Sequence, residues 1–324
     1  MANILAKIGI YGDLHLNSKN YGAHRDYAKE SLEYLHKITE ITKNENLTHL
    51  IGLGDFSFGR FHSLEYRGAV DLELTEQCKL VQGNHYELLG NHDIAGYGAV
   101  ERDYYISRNL LKPSENLSIG NLNITMVDFN AHKSTPMNIV DDDTHVNVVL
   151  AHDFFKFSNV GLSNFGKAIE LDNFEEWFGI DLLICGHVHK IMNFDGYMTK
   201  DNNTVHKVEV RYPGCMMRPS YREGHIDEIG RVIILTIYDD GNLDISNSDF
   251  LLWNIEESFN VEEKTVEKEK KVEKQSRVDI SDVVKQLNMH DRNVGNPEDI
   301  VSSMEGIDEK YKNKAIELLK EALG

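Results

Sequence analysis

The chain has 324 residues, of which 41% are hydrophobic and 27% are charged, and its formal net charge is −19. This length leaves room for one large domain and an appendage, and the apolar fraction is enough for a sizeable core. The acidic balance excludes a surface that grips nucleic acid through long-range positive charge, so a polyanion would have to be bound locally or through metals.

The cysteines and the apolar runs indicate where the protein works. Three cysteines, Cys78, Cys185 and Cys215, are few, odd in number and not spaced as zinc ligands. Reduced thiols therefore fit better than a disulfide framework. No run is long enough to span a membrane, and the N-terminus lacks a basic segment followed by an apolar one. We expect a cytoplasmic protein with no membrane partner.

Two apolar runs near the N-terminus are predicted to be strands joined by a helix. The first, residues 7–12, runs into Asp13-Leu14-His15, and the second, residues 49–54, runs into Asp55. Between them, residues 25–43 carry apolar side chains at roughly helical spacing. The order predicts a β-α-β unit.

Three later apolar runs also end in polar residues. Residues 86–90 run into Asn91-His92-Asp93, residues 146–151 into His152, and residues 182–186 into His187-Val188-His189. In an open α/β sheet, functional residues collect beyond the carboxyl ends of the strands. Five strand ends are therefore expected to converge on one rim.

The segments between these runs are less regular. Residues 56–70 are rich in Gly, Ser and aromatic residues and are predicted to be a loop near the site, followed by a helix at 72–80. Residues 172–178 are predicted to form a short helix with Asp172 as its N-cap. Further strands are expected at 204–212 and 231–237, with the core ending near Trp253.

Composition changes abruptly after residue 255. Residues 256–278 are dominated by Glu and Lys, which predicts a solvated linker or exposed helix after a catalytic domain at 1–255. Apolar stripes return in 279–324, where Asn296-Pro297 has the form of an N-cap followed by proline at the first helical position. We interpret 279–324 as a helical partner-docking module; a small self-packed helical tail is the alternative.

Taken in order, the strand ends form Asp-x-His, Gly-Asp, Gly-Asn-His-Asp, isolated His and Gly-His-x-His blocks. Together these blocks resemble the calcineurin-like metallophosphoesterase superfamily over residues 7–189. The resemblance implies an α/β fold, a four-layer α-β-β-α sandwich, with two divalent metal ions, expected to be manganese, at the strand ends. Such a pair of ions polarises a phosphoryl oxygen and stabilises the leaving oxygen in phosphate ester hydrolysis.

The family pattern also assigns roles to individual residues. Its ligands correspond here to Asp13, His15, Asp55 and His189 for one ion and to Asp55, Asn91, His152 and His187 for the other. His92 would be a non-ligand acid or charge stabiliser near the leaving group. Further candidates are Asp93, His62 and Arg218, as support for the ligands or as substrate contacts; a solvated surface role is the alternative for Arg218.

One position departs from the family pattern. Many members carry His or Asp three residues after the bridging aspartate, where it orients the catalytic histidine, and this chain has Phe58. Either His62 or another group takes over that task, or His92 is less well oriented and the rate suffers.

Within the superfamily the chain resembles the SbcD-type nuclease subunits of DNA repair complexes, including phage versions. Residues 211–221 are similar to the block that follows the Gly-His-x-His histidines in that group. The linker and terminal helices lie where such subunits dock on a coiled-coil SbcC-like ATPase. This resemblance implies a DNA exonuclease or endonuclease for repair or recombination, working in the host cytoplasm if phage-encoded, and leaves a homodimer open.

Two other function classes stay open. A small-molecule or cyclic-nucleotide phosphoesterase of the same superfamily would hydrolyse a simple diester and leave DNA intact. A binding scaffold with a disused site is the third class, although every ligand position of the pattern is filled here.

Overall fold

The computed structural model of the protein describes residues 2–20, 24–94, 98–140, 144–160, 168–200, 204–218 and 228–259. These residues belong to one compact unit, Met1–Asn260. The predicted module at 279–324 and most of the predicted linker lie outside the described residues. No helix in the described ranges has the length and apolar character needed to cross a membrane.

Thirteen strands and five helices are described. The strands are β1 (Ile4–Tyr11), β2 (His49–Gly52), β3 (His85–Glu87), β4 (Leu117–Ile119), β5 (Leu122–Val127), β6 (Val146–His152), β7 (Phe155–Lys156), β8 (Ile169–Glu170), β9 (Leu182–Gly186), β10 (Met192–Lys200), β11 (Thr204–Tyr212), β12 (Ile229–Tyr238) and β13 (Leu243–Leu251). The helices are α1 (Tyr27–Asn44), α2 (Leu64–Leu80), α3 (Asn91–Ile94), α4 (Gly98–Ser107) and α5 (Ile255–Ser258).

The strands form two large mixed sheets and a small pair, β7-β8. The first large sheet has the order β13-β12-β1-β2-β3, in which β1, β2 and β3 are parallel. The second has the order β10-β11-β9-β6-β5-β4, in which β5, β6, β9 and β11 are parallel. The parallel strands of each sheet therefore end at a common edge.

The main core lies between the two large sheets. Side chains alternate across a strand, so Ile51 of β2 faces the second sheet while Leu50 faces the helices. From the second sheet, Leu150 of β6 and Ile184 of β9 pack into the same core. Because both faces of these strands are covered, their sequences are apolar at successive positions.

Helices α1, α2 and α4 cover the outer face of the first sheet. Asp26 caps α1 by accepting from the Lys29 backbone N–H, and Leu35 and Ile38 of α1 are buried against the sheet. The α1 helix is confirmed close to its predicted bounds. Helix α2 begins at Leu64, eight residues before the predicted start, because Ser63 accepts from Tyr66 N–H as its N-cap. The predicted loop is therefore confined to the residues before 64.

The outer face of the second sheet is covered by aromatic residues. Trp177, Phe155 and Phe157 are buried against Val149 and Leu183. The short helix predicted at 172–178 is instead two 3-10 turns, Leu171–Asn173 and Glu175–Trp177. Asp172 does not cap it; its carboxylate accepts from the Ser158 backbone N–H at 3.0 Å. The predicted α/β sandwich of two sheets flanked by helical elements is confirmed.

The folded unit continues past the predicted boundary at residue 255. Asn254 and Glu257 form a capping box around α5, with each side chain accepting from the other residue's backbone N–H. Phe259 is buried and its backbone bridges to His24. The first residues of the predicted linker are therefore packed against the N-terminal part of the chain.

Candidate metal centre

The polar residues after β1, β2, β3, β6 and β9 meet at one edge of the two sheets. Asp13, His15, Asp55 and His152 are buried, whereas Asn91, His92, His187 and His189 are partly exposed. The convergence predicted from the strand ends is what the fold produces. The exposed members mark the side from which solvent and substrate reach the site.

One group of donor atoms comes from β1 and β9. Asp13, His15 and His189 each place one potential ligand atom within 4.8 Å of the others. Nε2 of His15 lies 3.0 Å from Nε2 of His189, and His189 Nε2 lies 3.3 Å from Asp13 Oδ2. These three residues could hold the first ion, as the family pattern implies.

A second group centres on His152. Its Nε2 lies 3.0 Å from Asn91 Oδ1 and 3.4 Å from Asp55 Oδ2, and His187 Nδ1 lies 2.7 Å from the same Asn91 oxygen. Asp13, Asp55 and His152 also form a set of three within 4.8 Å. Asp13 and Asp55 thus both lie between the groups, so either carboxylate could contact two ions.

The tautomer of His152 shows that this cluster fits a cation. Its Nδ1 donates to Leu53 O at 2.6 Å, so Nε2 is the ring nitrogen that is left to carry a proton or to bind a metal ion. Nε2 faces the oxygens of Asn91 and Asp55, and these buried acceptors need a positive charge beside them, which a proton on Nε2 can supply. A divalent ion in place of that proton meets the same requirement, and a hydrogen bond from the other ring nitrogen, such as the one to Leu53 O, is typical of metal-bound histidine.

Burial and the close pairing of carboxylates with imidazoles also shift the pKa values of His152, Asp55 and His15. Burial lowers the pKa of His152, but Asp13 and Asp55 outweigh it and raise the pKa to about 9. Burial raises the pKa of Asp55, yet His152 and the other histidines bring it below its usual range. Burial lowers the pKa of His15 to about 3, which keeps that ring neutral and able to bind a metal.

Among the described residues, the ion pairs of Asp13 and Asp55 are with histidines and not with Lys or Arg. Two carboxylates buried to this extent are costly unless a cation compensates them. Neutral imidazole, carboxylate and amide donors suit divalent ions such as manganese, iron or zinc. The residues present therefore fit a two-metal centre.

Glycines allow the strand ends to approach one another this closely. A Cβ on Gly90 would lie 2.2 Å from Asp55 Oδ1, and one on Gly186 would lie 2.7 Å from Asp13 Oδ1. No side chain fits in either space. Gly90 and Gly186 therefore allow the carboxylates of Asp55 and Asp13 to pack directly against the backbone.

His92 lies at the open side of the centre. Its backbone N–H donates to Asp55 Oδ1 at 2.7 Å, and its ring can place a nitrogen within 4.8 Å of ligand atoms of His15 and Asp55. The Phe58 ring packs on the His92 ring with 4.7 Å between centroids. Phe58 thus contacts His92 through ring packing.

His62 does not replace that hydrogen-bonding residue. Its side chain is exposed, and its backbone N–H donates to Ser18 Oγ at 2.7 Å. No hydrogen bond joins His62 to His92 in the part of the chain that the structure describes. The explanation that His62 compensates for Phe58 is therefore not supported by its position.

Asp93 holds the loops that carry Asp55 and Asn91. Its carboxylate accepts from Gly90 N–H at 2.9 Å and from Phe56 and Ser57 N–H at 3.4 Å each. Burial raises the pKa of Asp93 to about 7, with Asp55 adding to the increase. The predicted support of the ligands by Asp93 stays a prediction, and these bonds are the contacts through which it would act.

Arg218 is buried, so the solvated surface role considered for it is wrong, and its contact with substrate stays a prediction. Its side chain is 1% exposed, and Nη1 donates to Trp253 O at 2.8 Å.

Sequence reasoning missed two residues that follow β5. Asp128 Oδ1 accepts from Leu89 N–H at 2.8 Å, next to Gly90, and the Phe129 ring lies 6.0 Å from the His187 ring. The signal was present, because the apolar run of β5 ends in a polar residue like the other five. Glu87 was also missed, since one buried carboxyl inside a strand has no pattern of its own.

Comparison with known proteins places this geometry in context. The family model of the calcineurin-like phosphoesterases matches residues 6–191. A dimetal phosphatase from Danio rerio is 12% identical with a TM-score of 0.45, covering 80% of this chain and 100% of that one. Vps29 from Chaetomium thermophilum is 12% identical with a TM-score of 0.31, covering 76% and 100%. No curated protein matches the chain.

Proposed function

The chain belongs to the calcineurin-like phosphoesterase family, and from this premise we propose that it is the DNA nuclease subunit of an SbcCD-like repair or recombination complex. At the coarser level it is a metal-dependent phosphoester hydrolase with a site for two divalent metals. The observation that carries the proposal is the set of facing donor atoms around Asp13, Asp55 and His152, which a pair of cations would complete.

The residues divide between binding and chemistry. Asp13, His15 and His189 would hold one ion and Asn91, His152 and His187 the other, with Asp55 between them. When bound, such ions polarise a phosphoryl oxygen and neutralise developing charge. His92 would donate a proton to the leaving oxygen, because its ring lies at the open side and a histidine can carry a proton near neutral pH. Phe58 limits the orientations of that ring.

The DNA substrate is supported by the resemblance of residues 211–221 to SbcD-type nucleases and by the length of chain after the catalytic unit. The formal net charge of −19 disfavours unaided binding of a long polyanion. An ATPase partner with its own basic surface would supply the missing attraction. We therefore propose that residues 279–324 dock an SbcC-like coiled-coil ATPase and that the partner delivers the DNA.

A substrate panel tests this proposal. Purified full-length protein with manganese is assayed on single-stranded DNA, double-stranded DNA, a cyclic nucleotide and a chromogenic phosphodiester, with and without chelator. We expect manganese-dependent DNA cleavage that increases when the ATPase is added. Asp55→Asn is the matched control, since it keeps the shape of the side chain and removes the charge that the metals require.

Each other outcome has a distinct meaning. Rapid hydrolysis of the small diesters with DNA left intact would reject the nuclease proposal and favour a small-molecule phosphoesterase. Bound metal with no hydrolysis of any diester would make the chain a scaffold. Protein that takes up no divalent metal would reject the two-metal centre itself.

A further inference from the structure

The backbone of His15 is held in an unusual conformation from both sides. Its φ is 49°, a left-handed value that a residue other than glycine adopts only where its surroundings impose it. Its N–H donates to Asp55 O at 2.9 Å, and its carbonyl accepts the Tyr27 hydroxyl at 2.8 Å. The second bond comes from outside the candidate metal centre.

We propose that Tyr27 is a positioning residue of the metal centre, and that the C-terminal segment 252–259 keeps Tyr27 in place. The Tyr27 hydroxyl fixes the left-handed backbone of His15, and through it the direction of the imidazole toward His189 and Asp55. This inference rests on the proposed role of His15 as a metal ligand.

Tyr27 is placed to act on the backbone because it is completely buried at the start of α1. Its own backbone N–H donates to Asn20 Oδ1 at 2.8 Å, which fixes the end of the helix relative to the preceding loop. The His24 ring packs edge-on against the Tyr27 ring with 4.6 Å between centroids. The phenol therefore has little freedom to leave the His15 carbonyl.

The C-terminal segment closes the other side of this ring pair. The Phe259 ring lies 4.1 Å from the His24 ring, so three rings form a row from Phe259 through His24 to Tyr27. Backbone and side-chain bonds join the same two segments: Arg25 N–H donates to Ser258 O at 2.9 Å, and Ser258 Oγ donates to a Glu30 carboxylate oxygen at 2.9 Å.

A second connection runs through the loop residues 213–218, which follow β11. His24 Nε2 donates to Arg218 O at 2.8 Å, while the Arg218 side chain donates to Trp253 O. Within this loop, Met216 N–H donates to Asp13 O at 2.9 Å and Cys215 N–H donates to His189 O at 3.3 Å. The loop and the C-terminal segment thus share one packed cluster.

These bonds have one feature in common. The backbone carbonyls of Asp13, His15 and His189, the three residues that group around one candidate ion, all accept a hydrogen bond from this side of the molecule. Two of the three donors are backbone N–H groups and cannot be removed by substitution. The Tyr27 hydroxyl is the side-chain donor, and it can be removed with little change of shape.

Metal binding to the full-length protein tests the proposal. Tyr27→Phe keeps the ring and deletes the hydroxyl, whereas the control Tyr212→Phe deletes an equally buried hydroxyl that donates to Phe155 O at 2.7 Å. Manganese stoichiometry and affinity are measured by calorimetry, and cobalt absorption spectra report ligand geometry. A net contribution of about 1 kcal/mol for such a bond predicts affinity about five-fold weaker for one ion in Tyr27→Phe and unchanged in the control.

Phe259→Ala provides a second test, because it removes the end of the ring row without touching any hydrogen bond to His15. We expect it to weaken the same ion and to alter the cobalt spectrum in the same direction, with thermal unfolding of the metal-free protein showing that it is folded. Wild-type affinity and spectrum in Tyr27→Phe would overturn the inference while leaving the proposed function intact. Wild-type protein that binds no metal would overturn both.

Discussion

Glu87→Gln tests whether a buried carboxyl next to the metal centre is kept protonated in the folded protein. Glu87 is completely buried in β3, where Oε2 accepts the Tyr11 hydroxyl at 2.7 Å and Oε1 accepts Gly54 N–H at 3.3 Å. Burial is the main cause that raises the pKa of Glu87 to about 8, and it outweighs the Tyr11 hydrogen bond. Glutamine has nearly the same shape and does not ionise.

The sign of the effect follows from proton uptake. An unfolded glutamate releases its proton near pH 4.3, whereas the folded protein keeps it until about pH 8, so wild-type stability falls as pH rises through that window. One pKa unit corresponds to about 1.4 kcal/mol, which sets an upper bound of about 5 kcal/mol. Allowing for relaxation of the site, Glu87→Gln should gain about 2–4 kcal/mol over wild type between pH 5 and pH 9.

Urea unfolding of the metal-free proteins at pH 5, 7 and 9 measures this difference. Glu101→Gln is the matched control, because Glu101 is an equally buried carboxylate that is bonded to Arg67 at 2.6 Å. We expect the control to lose stability, since the partly buried Arg67 guanidinium loses the negative charge of its partner. A difference between Glu87→Gln and wild type that stays constant from pH 5 to 9 would refute the reasoning.

Four further changes address the centre and the tail. His92→Ala should retain both metals and lose roughly 10²–10⁴-fold in turnover, while Asp55→Ala should lose metal and turnover together; unchanged hydrolysis in His92→Ala would contradict its role. Phe58→Ala should lower kcat about ten-fold with unchanged metal affinity, because the His92 ring loses the packing that restricts it, and equal kcat would show that the packing is irrelevant. Deletion of residues 279–324 should spare manganese-dependent diester cleavage and abolish partner binding; an intact complex in a pull-down with the deleted protein would locate the dock elsewhere.

The convergence of the candidate ligands could be predicted because it depends on local pattern and one rule of sheet geometry. Each apolar run marks a strand, and parallel strands of one sheet end at a common edge, so the residues that follow β1, β2 and β3 are neighbours, as are those at the ends of β6 and β9. The rule required no knowledge of the strand order. The order β13-β12-β1-β2-β3 itself could not be predicted, since many orders bury the same side chains.

Exposed apolar residues made the start of helix α2 difficult to predict from the sequence. Its buried positions, among them Tyr66, Val70 and Leu74, do recur at helical spacing. Leu64 and Leu72 are 85% and 74% exposed, however, and they blur the contrast between the two faces on which the prediction depends. The start of α2 was missed for this reason and not through lack of helix-forming residues.

Arg218 was misplaced because its environment is set by distant parts of the chain. Charged residues are usually exposed, and the sequence around Arg218 gives no reason to expect otherwise. Its partner is the carbonyl of Trp253, 35 residues away, and it lies near Tyr34 of α1. Such a burial depends on the tertiary contact of the C-terminal segment with α1, which no local pattern reports.

The backbone conformation of the candidate ligands could not be predicted from the sequence either. It indicates how the loops of the centre stabilise one another. His15, Asp55 and His187 all have left-handed backbones, with φ of 49°, 52° and 74°. Each such residue costs about 1–3 kcal/mol unless its surroundings compensate. The compensation here comes from other ligands: His15 N–H donates to Asp55 O at 2.9 Å, and His187 N–H donates to Asp13 Oδ2 at 3.0 Å. The ligand loops therefore stabilise one another, and the loss of one should be felt at the rest.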